Sequence, residues 1–363
     1  MSTAPRTRRP QHGLSLIEVL VGIAVGLIGM LVIFQTLSVW DKYTRTAASS
    51  SDAQTAGTLA AFNLERDLKQ AGLGFGNASA SVMGCSVAQA SGVAFALAPV
   101  VIASTPASGT VSGTDRLTVL HGNSDILATA ETFTSSTLNS KTLRRRGGFR
   151  VGDFVVVAGN DNPASAASAD CDLVRITAAS APDGLTVDHV GTVTVSSYSS
   201  GSVFTLGSAP QSNVWSVGTD NVLRVRNVLT GAENVVAENV VDLKAQYGID
   251  LDGDRRISAP VSASAPSEWT TVPPADWTKV LAVRMAILVR GRQFEKDVDA
   301  PSASALAAPP RWFGNDFAMR NVNNMPDTFA PGDRDANNWR NYRYRVYERV
   351  VPLRNMVWGT QFD

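Results

Sequence analysis

The chain has 363 residues, enough for one large domain or two ordinary ones. Hydrophobic residues make up 44% and charged residues only 18%, so a core can be filled while the surface relies on Ser, Thr, Ala and Gly, as in "SGTVSGT" (108–114) and "ASAASAD" (164–170). The formal net charge of zero excludes a general attraction to nucleic acid, and without a leader carrying Arg6, Arg8 and Arg9 the remainder would hold about three excess acids.

No charge interrupts Val19 to Trp40, and Asp41 and Lys42 close the run. Those 22 residues would span about 33 Å as a helix, enough for a bilayer core. The leader arginines hold the N-terminus in the cytoplasm and send everything after Trp40 outward. A discarded signal peptide has a shorter apolar core and a small-residue cleavage site behind it. This run is long and lacks a clear A-x-A site, which predicts a retained helix. Just ahead of it stands Glu18. A lone carboxylate costs a few kcal/mol or more at the bilayer centre and less near the interface. Buried among apolar helices, it needs a positive partner. Gly22 and Gly26 form G-x-x-x-G, followed by Gly29. That pattern suits close approach of another helix, although glycine is common in membrane helices anyway.

Past the span, Gly57, Ala61, Leu64, Leu68 and Ala71 fall on one stripe, and Glu65 and Lys69 form an i,i+4 pair on another. Gly72, Gly74 and Gly76 end the pattern. A helix from Leu14 to Ala71 would be about 87 Å long, and the Ser/Thr/Ala tract from Thr44 to Thr58 leaves its continuity open. The division is a leader over 1–13, an N-terminal helix over 14–76 with its transmembrane part at 14–40, and a head over 77–363.

A basic leader ending in Gly13, then "LSLIEVLVGIAVGLIGMLVIF" with Glu18 fifth after the junction, resembles a type IV pilin N-terminus. The resemblance implies that a prepilin peptidase cuts between Gly13 and Leu14 and that the new amino terminus at Leu14 is methylated. The family usually has Phe where this chain has Leu14. It further implies that Glu18 meets the freed amino group of a neighbouring subunit, so that charge neutralisation sets the register between subunits.

After residue 78 the pattern changes to short alternating runs bounded by Gly, Asn, Asp and Ser. Strands are predicted at 115–122, 149–159, 172–177, 185–190, 221–228, 240–249, 279–292 and 342–351. In the seventh, Leu281, Val283, Met285, Ile287 and Val289 line one face. The fold class is therefore α+β: one long N-terminal helix and a large, mainly antiparallel β head. Cys85 and Cys171, 86 positions apart, fit neither CxxC nor a zinc cluster. In an exported head they read as one disulfide, which would contribute about 4 kcal/mol in the chain-entropy model; two separate buried thiols are the alternative.

"LERDLKQAGLG" (64–74), "VVDLKAQYGIDLDGD" (240–254), "VLAVRMAILVR" (280–290) and "YRYRVYERVVPLRN" (342–355) are similar to the PilW family of minor pilins. That resemblance implies a part in priming pilus assembly and a place at the filament tip. The implied partners are sister minor and major pilins, the inner-membrane assembly platform and a tip adhesin. A type II secretion pseudopilin shares the N-terminus, and a signal-anchored periplasmic enzyme or receptor is the reading from another class.

Other chemistry is sparse. "DLDGDRRI" sets Asp250, Asp252 and Asp254 around Gly253, which suggests oxygen ligands for calcium. An EF-hand loop wants glycine sixth and glutamate twelfth, whereas here glycine is fourth and Val261 twelfth; an Asp/Gly-rich hairpin turn is the alternative. No G-x-S-x-G elbow occurs, and "GLGFGN" (72–77) ends in Asn77 where a dinucleotide fingerprint needs glycine, so it reads as a helix stop. His12 lies in the leader, and His121 and His189 lie in predicted strands. Arg343, Arg345 and Arg349 read as a solvated strand face, since no aromatic platform for stacking nucleic acid accompanies them. The expectation is a non-enzymatic protein without a cofactor.

Overall fold

A computed structural model describes residues 15–89, 94–104, 113–124, 130–145, 147–159, 170–178, 185–190, 200–258, 267–294, 308–330, 333 and 335–359. Helix α1 (Leu16–Gln70) runs unbroken through the Ser/Thr/Ala tract. It stops where the glycines begin: Gly72 and Gly74 have φ of +80° and +97°, so residues 71–77 are turns rather than the last part of a helix reaching 76. There follow β1 (Ser86–Gln89), β2 (Phe95–Ala96), β3 (Val100–Ser104) and β4 (Asp115–His121). Next come β5 (Glu131–Ser136), β6 (Ser140–Leu143), β7 (Phe154–Gly159), β8 (Asp170–Ala178), β9 (Thr186–Val190) and β10 (Gly201–Gly207). The chain continues through β11 (Gln211–Val217), β12 (Val222–Asn227), β13 (Glu233–Glu238), β14 (Val240–Ile249), β15 (Trp269–Thr270) and β16 (Val280–Arg290). It ends with β17 (Arg311–Trp312), β18 (Asn315–Asp316), β19 (Tyr344–Pro352) and a short α2 (Arg354–Gly359).

From Asp52 onward the chain forms one compact unit. Two sheets, ordered β13-β12-β11-β4-β3 and β15-β14-β16-β19, share a core with the second half of α1. Ala61, Leu64, Leu68 and Ala71 of the expected stripe are fully buried there. β16 is the strongest strand in the sequence, and it is covered on both sides. Val283, Met285, Ile287 and Val289 join the helix-side core, and Ala286 and Leu288 join a separate cluster with Trp312 and Phe317. That is why its sequence is almost continuously apolar instead of cleanly alternating.

The third sheet runs β2-β1-β8-β7-β10-β5-β6-β9, and β9 then pairs back onto β8. Six strands therefore close into a small barrel between β4 and β11, and closure removes their free edges. Cys85, just before β1, is bonded to Cys171 in β8, which ties the barrel to the turns after α1. The barrel interior is filled by Phe133, Leu143, Val155, Val157, Val174, Ile176, Val187 and Val203. Strand alternation brings three ionisable side chains to the same side: Lys141 beside Leu143, Asp172 beside Val174, and His189 beside Val187. All three are at least 97% buried. Lys141 Nζ donates to the Thr137 carbonyl at 2.6 Å, whereas among the described residues neither ring nitrogen of His189 has a hydrogen-bond partner.

Burial pushes the His189 ring down to about 4, with the Lys141 charge adding to the effect and Asp188 and Asp172 opposing it. As pH falls from the ordinary imidazole range toward 4, the unfolded chain takes up a proton that the folded barrel refuses, so stability is lost across that window. Replacing His189→Leu removes this loss. The melting temperature of the variant, followed by circular dichroism in detergent, should pull further above the native chain as pH drops from 7 to 4.5. A gap independent of pH would show that the ring does not carry the effect.

Candidate functional site

Gly13 and Leu14 lie outside the described residues, as do Arg6, Arg8, Arg9 and His12. The description begins at Ser15, which starts α1: its hydroxyl accepts the Glu18 N–H at 3.2 Å and its carbonyl accepts the same group at 3.0 Å. Ser15 followed three residues later by Glu18 is the spacing of a capping box, a signal legible in the sequence and missing from the reading above. Glu18 stands exposed in the first helical turn, where the helix dipole favours a carboxylate.

Beyond Glu18 the helix presents apolar side chains all round. Leu20, Ile23, Leu27, Leu31 and Phe34 are each about 60% exposed. The most apolar stretch has a mean hydropathy of 2.7, with none of it buried within the chain. A Cβ added at Gly22, Gly26 or Gly29 would meet nothing within 4 Å. Polar groups in the segment look after themselves: the hydroxyls of Thr36, Ser38 and Thr44 donate to the carbonyls of Val32, Gln35 and Trp40 at 2.8–2.9 Å. Such local bonds remove the need for water. Charge resumes with an Asp41–Arg45 pair at 2.9 Å. The arrangement suits packing against lipid or other helices.

The second half of α1 is clamped to the head. Asp67 is 7% exposed and accepts three hydrogen bonds from two strands. His121 Nε2 of β4 and Asn213 Nδ2 of β11 lie 3.0 Å from Oδ1, and Trp215 Nε1 of β11 lies 2.6 Å from Oδ2. On the other side Tyr347 of β19 lies flat over Gly57: a Cβ there would be 2.0 Å from the ring. Its hydroxyl donates to the Gln54 carbonyl at 3.1 Å. Asn355 Nδ2 donates to the carbonyls of Gln70 and Ala71 at 3.1 and 3.0 Å, satisfying the end of the helix. Arg349 reaches Glu65 at 3.4 Å, so one arginine of the last strand is directed to α1.

Asp250, Asp252 and Asp254 do come together, with carboxylate oxygens within 4.8 Å of one another. Each also accepts from the loop's own backbone, Asp250 through both oxygens and Asp252 and Asp254 through Oδ1. Asp250 takes the N–H groups of Gly253 and Arg255 at 2.7 and 3.0 Å, Asp252 that of Asp254 at 3.2 Å, and Asp254 that of Arg256 at 2.7 Å. Glu268 closes the base by accepting from Leu251 and Ser258. Such side-chain-to-backbone bonds are what Asp supplies in tight turns.

With this geometry in place, two family models match the chain. Residues 8–34 match the prokaryotic N-terminal methylation motif, and residues 215–355 match type IV pilus-assembly protein W. The first match spans the Gly13–Leu14 junction, Glu18 and the exposed apolar helix. The second runs from β11 to α2, taking in the clamp residues Trp215 and Tyr347. Together they mark the chain as a type IV pilus minor pilin or assembly component, similar to the PilW family over residues 215–355. No curated protein and no solved structure matches it. The pilin is thus a structural component of type IV pilus assembly, a family whose members work with other pilins and the assembly machinery. Its apolar helix and motif fit a membrane-anchored precursor. The closed barrel precedes the second match and is carried by this chain in addition to it.

Because the pilin's Asp250 loop is tied by its own amides, calcium is expected to change little. Calorimetric titration of the detergent-solubilised chain should give no binding heat, and millimolar calcium should leave its melting temperature unchanged. Asp250→Ala should lower that temperature with or without calcium, since the Gly253 and Arg255 amides lose their acceptor. A calcium-dependent rise abolished by Asp252→Ala would assign the loop to a cation.

Proposed function

We propose that the chain is made as an inner-membrane precursor with residues 1–13 in the cytoplasm and the head outside. A prepilin peptidase cuts between Gly13 and Leu14, and Leu14 receives the methyl group. The mature chain enters the filament through its apolar helix as a minor pilin. There it primes assembly and stands at the tip with sister minor pilins, in reach of a tip adhesin, and its head is non-enzymatic. The observation that carries this reading is an all-round apolar helix bearing one acid in its first turn. An acid there is compatible with an anchored monomer, but within a bundle of apolar helices it demands a cation. The amino group released at Leu14 of a neighbour is a cation of the right sign and position in sequence, so pairing would fix one subunit's height against the next.

Exposed apolar residues on the clamped half of α1, Leu59 at 49% and Phe62 at 60%, offer sister pilins a further contact. Beside them a groove of about 580 Å³ between α1 and β11–β13 is lined by Asn63, Arg66, Gln70, Asn213 and Asn234. Its mixed amide and guanidinium lining suits a polar protein surface.

Two measurements test the reading. Co-expression with a prepilin peptidase should give an N-terminal mass starting at methylated Leu14, and an intact leader or a cut elsewhere would overturn it. Glu18→Ala should leave cleavage intact while removing the chain from sheared pili by tenfold or more, as expected when about 1.4 kcal/mol or more of pairing is lost. Undiminished incorporation of that variant would rule out the charge pair.

A further inference from the structure

The outer face of the β14–β16–β19 sheet is covered by a strap, residues 310–330, whose only regular structure is the two-residue pair β17 and β18. Trp312 and Phe317 fill the space over Val241, Ala286 and Leu288. Next to this apolar contact lies a buried polar one. Arg320 is 6% exposed, and its guanidinium crosses to β14, where one Nη donates to the Val241 carbonyl at 2.6 Å. A bulge makes that contact available: the register slips between Val240 and Asp242, leaving Val241 outside the ladder.

The same bulge precedes Asp242, which is 4% exposed. Its Oδ1 accepts the Leu243 N–H at 2.8 Å, and its Oδ2 lies 3.7 Å from Lys244 Nζ. Lys244 is shared: it lies 3.8 Å from Asp115 of β4 and donates to the Gly113 carbonyl at 2.7 Å. Asp115 is committed to the Ala245 N–H at 2.9 Å. Arg290 of β16 faces Arg320 and repels it electrostatically. Thus Asp115 of β4, Lys244 of β14 and Arg320 of the strap are the charges acting on Asp242, and among the described residues Arg320 Nε is left buried without a hydrogen-bond partner.

We propose that Asp242 is a proton-linked latch for the strap: with its carboxyl protonated, Trp312–Asn321 is held closed on the sheet, and with it ionised the strap is released more readily. The cause is solvation. A closed strap seals the carboxylate away from water, and the neighbouring Lys244 and Arg320 do not fully compensate, so burial pushes the carboxyl up to about 7. Lifting the strap admits water and lets the group return toward the ordinary carboxylate range. The closed form therefore binds the proton more tightly. Its advantage is complete below that ordinary range, declines as pH rises toward 7, and is constant above. Lifting the strap would uncover Ala286, Leu288 and the apolar faces of Trp312 and Phe317, so proton activity would govern access to this face of the sheet.

The test is amide hydrogen exchange of the full chain in detergent, corrected for intrinsic rates, between pH 5 and pH 8. Protection across residues 312–321 should fall by as much as about tenfold per pH unit up to pH 7, the limit for one linked proton, and then level off. Amides in the β11–β12 hairpin should not follow it. Asp242→Asn, which mimics the protonated acid, should hold protection at its low-pH level throughout. Flat protection in the native chain, or the same decline in Asp242→Asn, would overturn the latch. If that variant does not fold, the native profile decides alone: a decline confined to the strap and ending near pH 7 supports the latch, and its absence or its spread to the hairpin refutes it.

Discussion

Asp67 is the point on which the head depends. A carboxylate removed from water is costly unless it is fully hydrogen-bonded, and here an imidazole, an amide and an indole from two strands do the work. No alternative packing of α1 on the sheet would keep those three donors supplied. A helix sliding by one turn, about 5.4 Å, would bury the acid unpaired and strand the Trp215 N–H as well. Apolar contacts from Leu64 and Leu68 supply the bulk of the attraction, but they tolerate sliding. The polar network supplies the register.

Around that fixed helix, the rest of the head is arranged by what each sheet face must cover. The inner faces of both sheets close on α1. The outer face of β14–β16–β19 has no helix available and is covered by irregular chain, with Trp312 and Phe317 as anchors and Arg320 as the polar tie. The barrel closes on itself around its own interior cluster, and outward side chains such as Val156, Leu173 and Phe204 join the core that α1 shares with the two sheets. Its attachment is made covalently by Cys85 and Cys171 and by Gly74, whose missing Cβ lets the turn approach the Thr205 carbonyl. A module with its own sealed core can be added to such a head without disturbing the helix clamp.

The sequence revealed the parts governed by periodicity and by local rules. The long helix, its buried stripe and its glycine stop follow from spacing alone, and all eight expected strand regions contain strands. What escaped was set by distant partners. β5, β6 and β10 lack strong alternation: "ETFTSS" and "SKTL" are polar, and "GSVFTLG" is bracketed by glycines, so only closure of the barrel makes them strands. His121 and His189 read alike in sequence as strand histidines. One meets Asp67, 54 positions away, and the other faces a barrel interior without a partner among the described residues. Asp242 and Lys244 read as ordinary alternation until a bulge and an arginine some 80 positions away enclose them. The Asp250 loop was legible as a turn and as a cation site, and its backbone bonds are those of a turn.

The two halves of α1 meet opposite demands, and this explains their different glycines. Gly57 is required by the chain itself, because Tyr347 occupies the space where a side chain would begin. Gly22, Gly26 and Gly29 face open space, so nothing within one subunit needs them to be small. A small residue in open space on an apolar helix lowers helix propensity by about 1 kcal/mol against alanine, a cost that close approach of a second helix can offset. Leucine and isoleucine around them are likewise left unburied by their own chain. The head therefore completes its packing within one subunit while the N-terminal half of the helix does not. Burial is divided accordingly: the head is packed by its own chain, and the apolar half of α1 is left for lipid or other helices to cover.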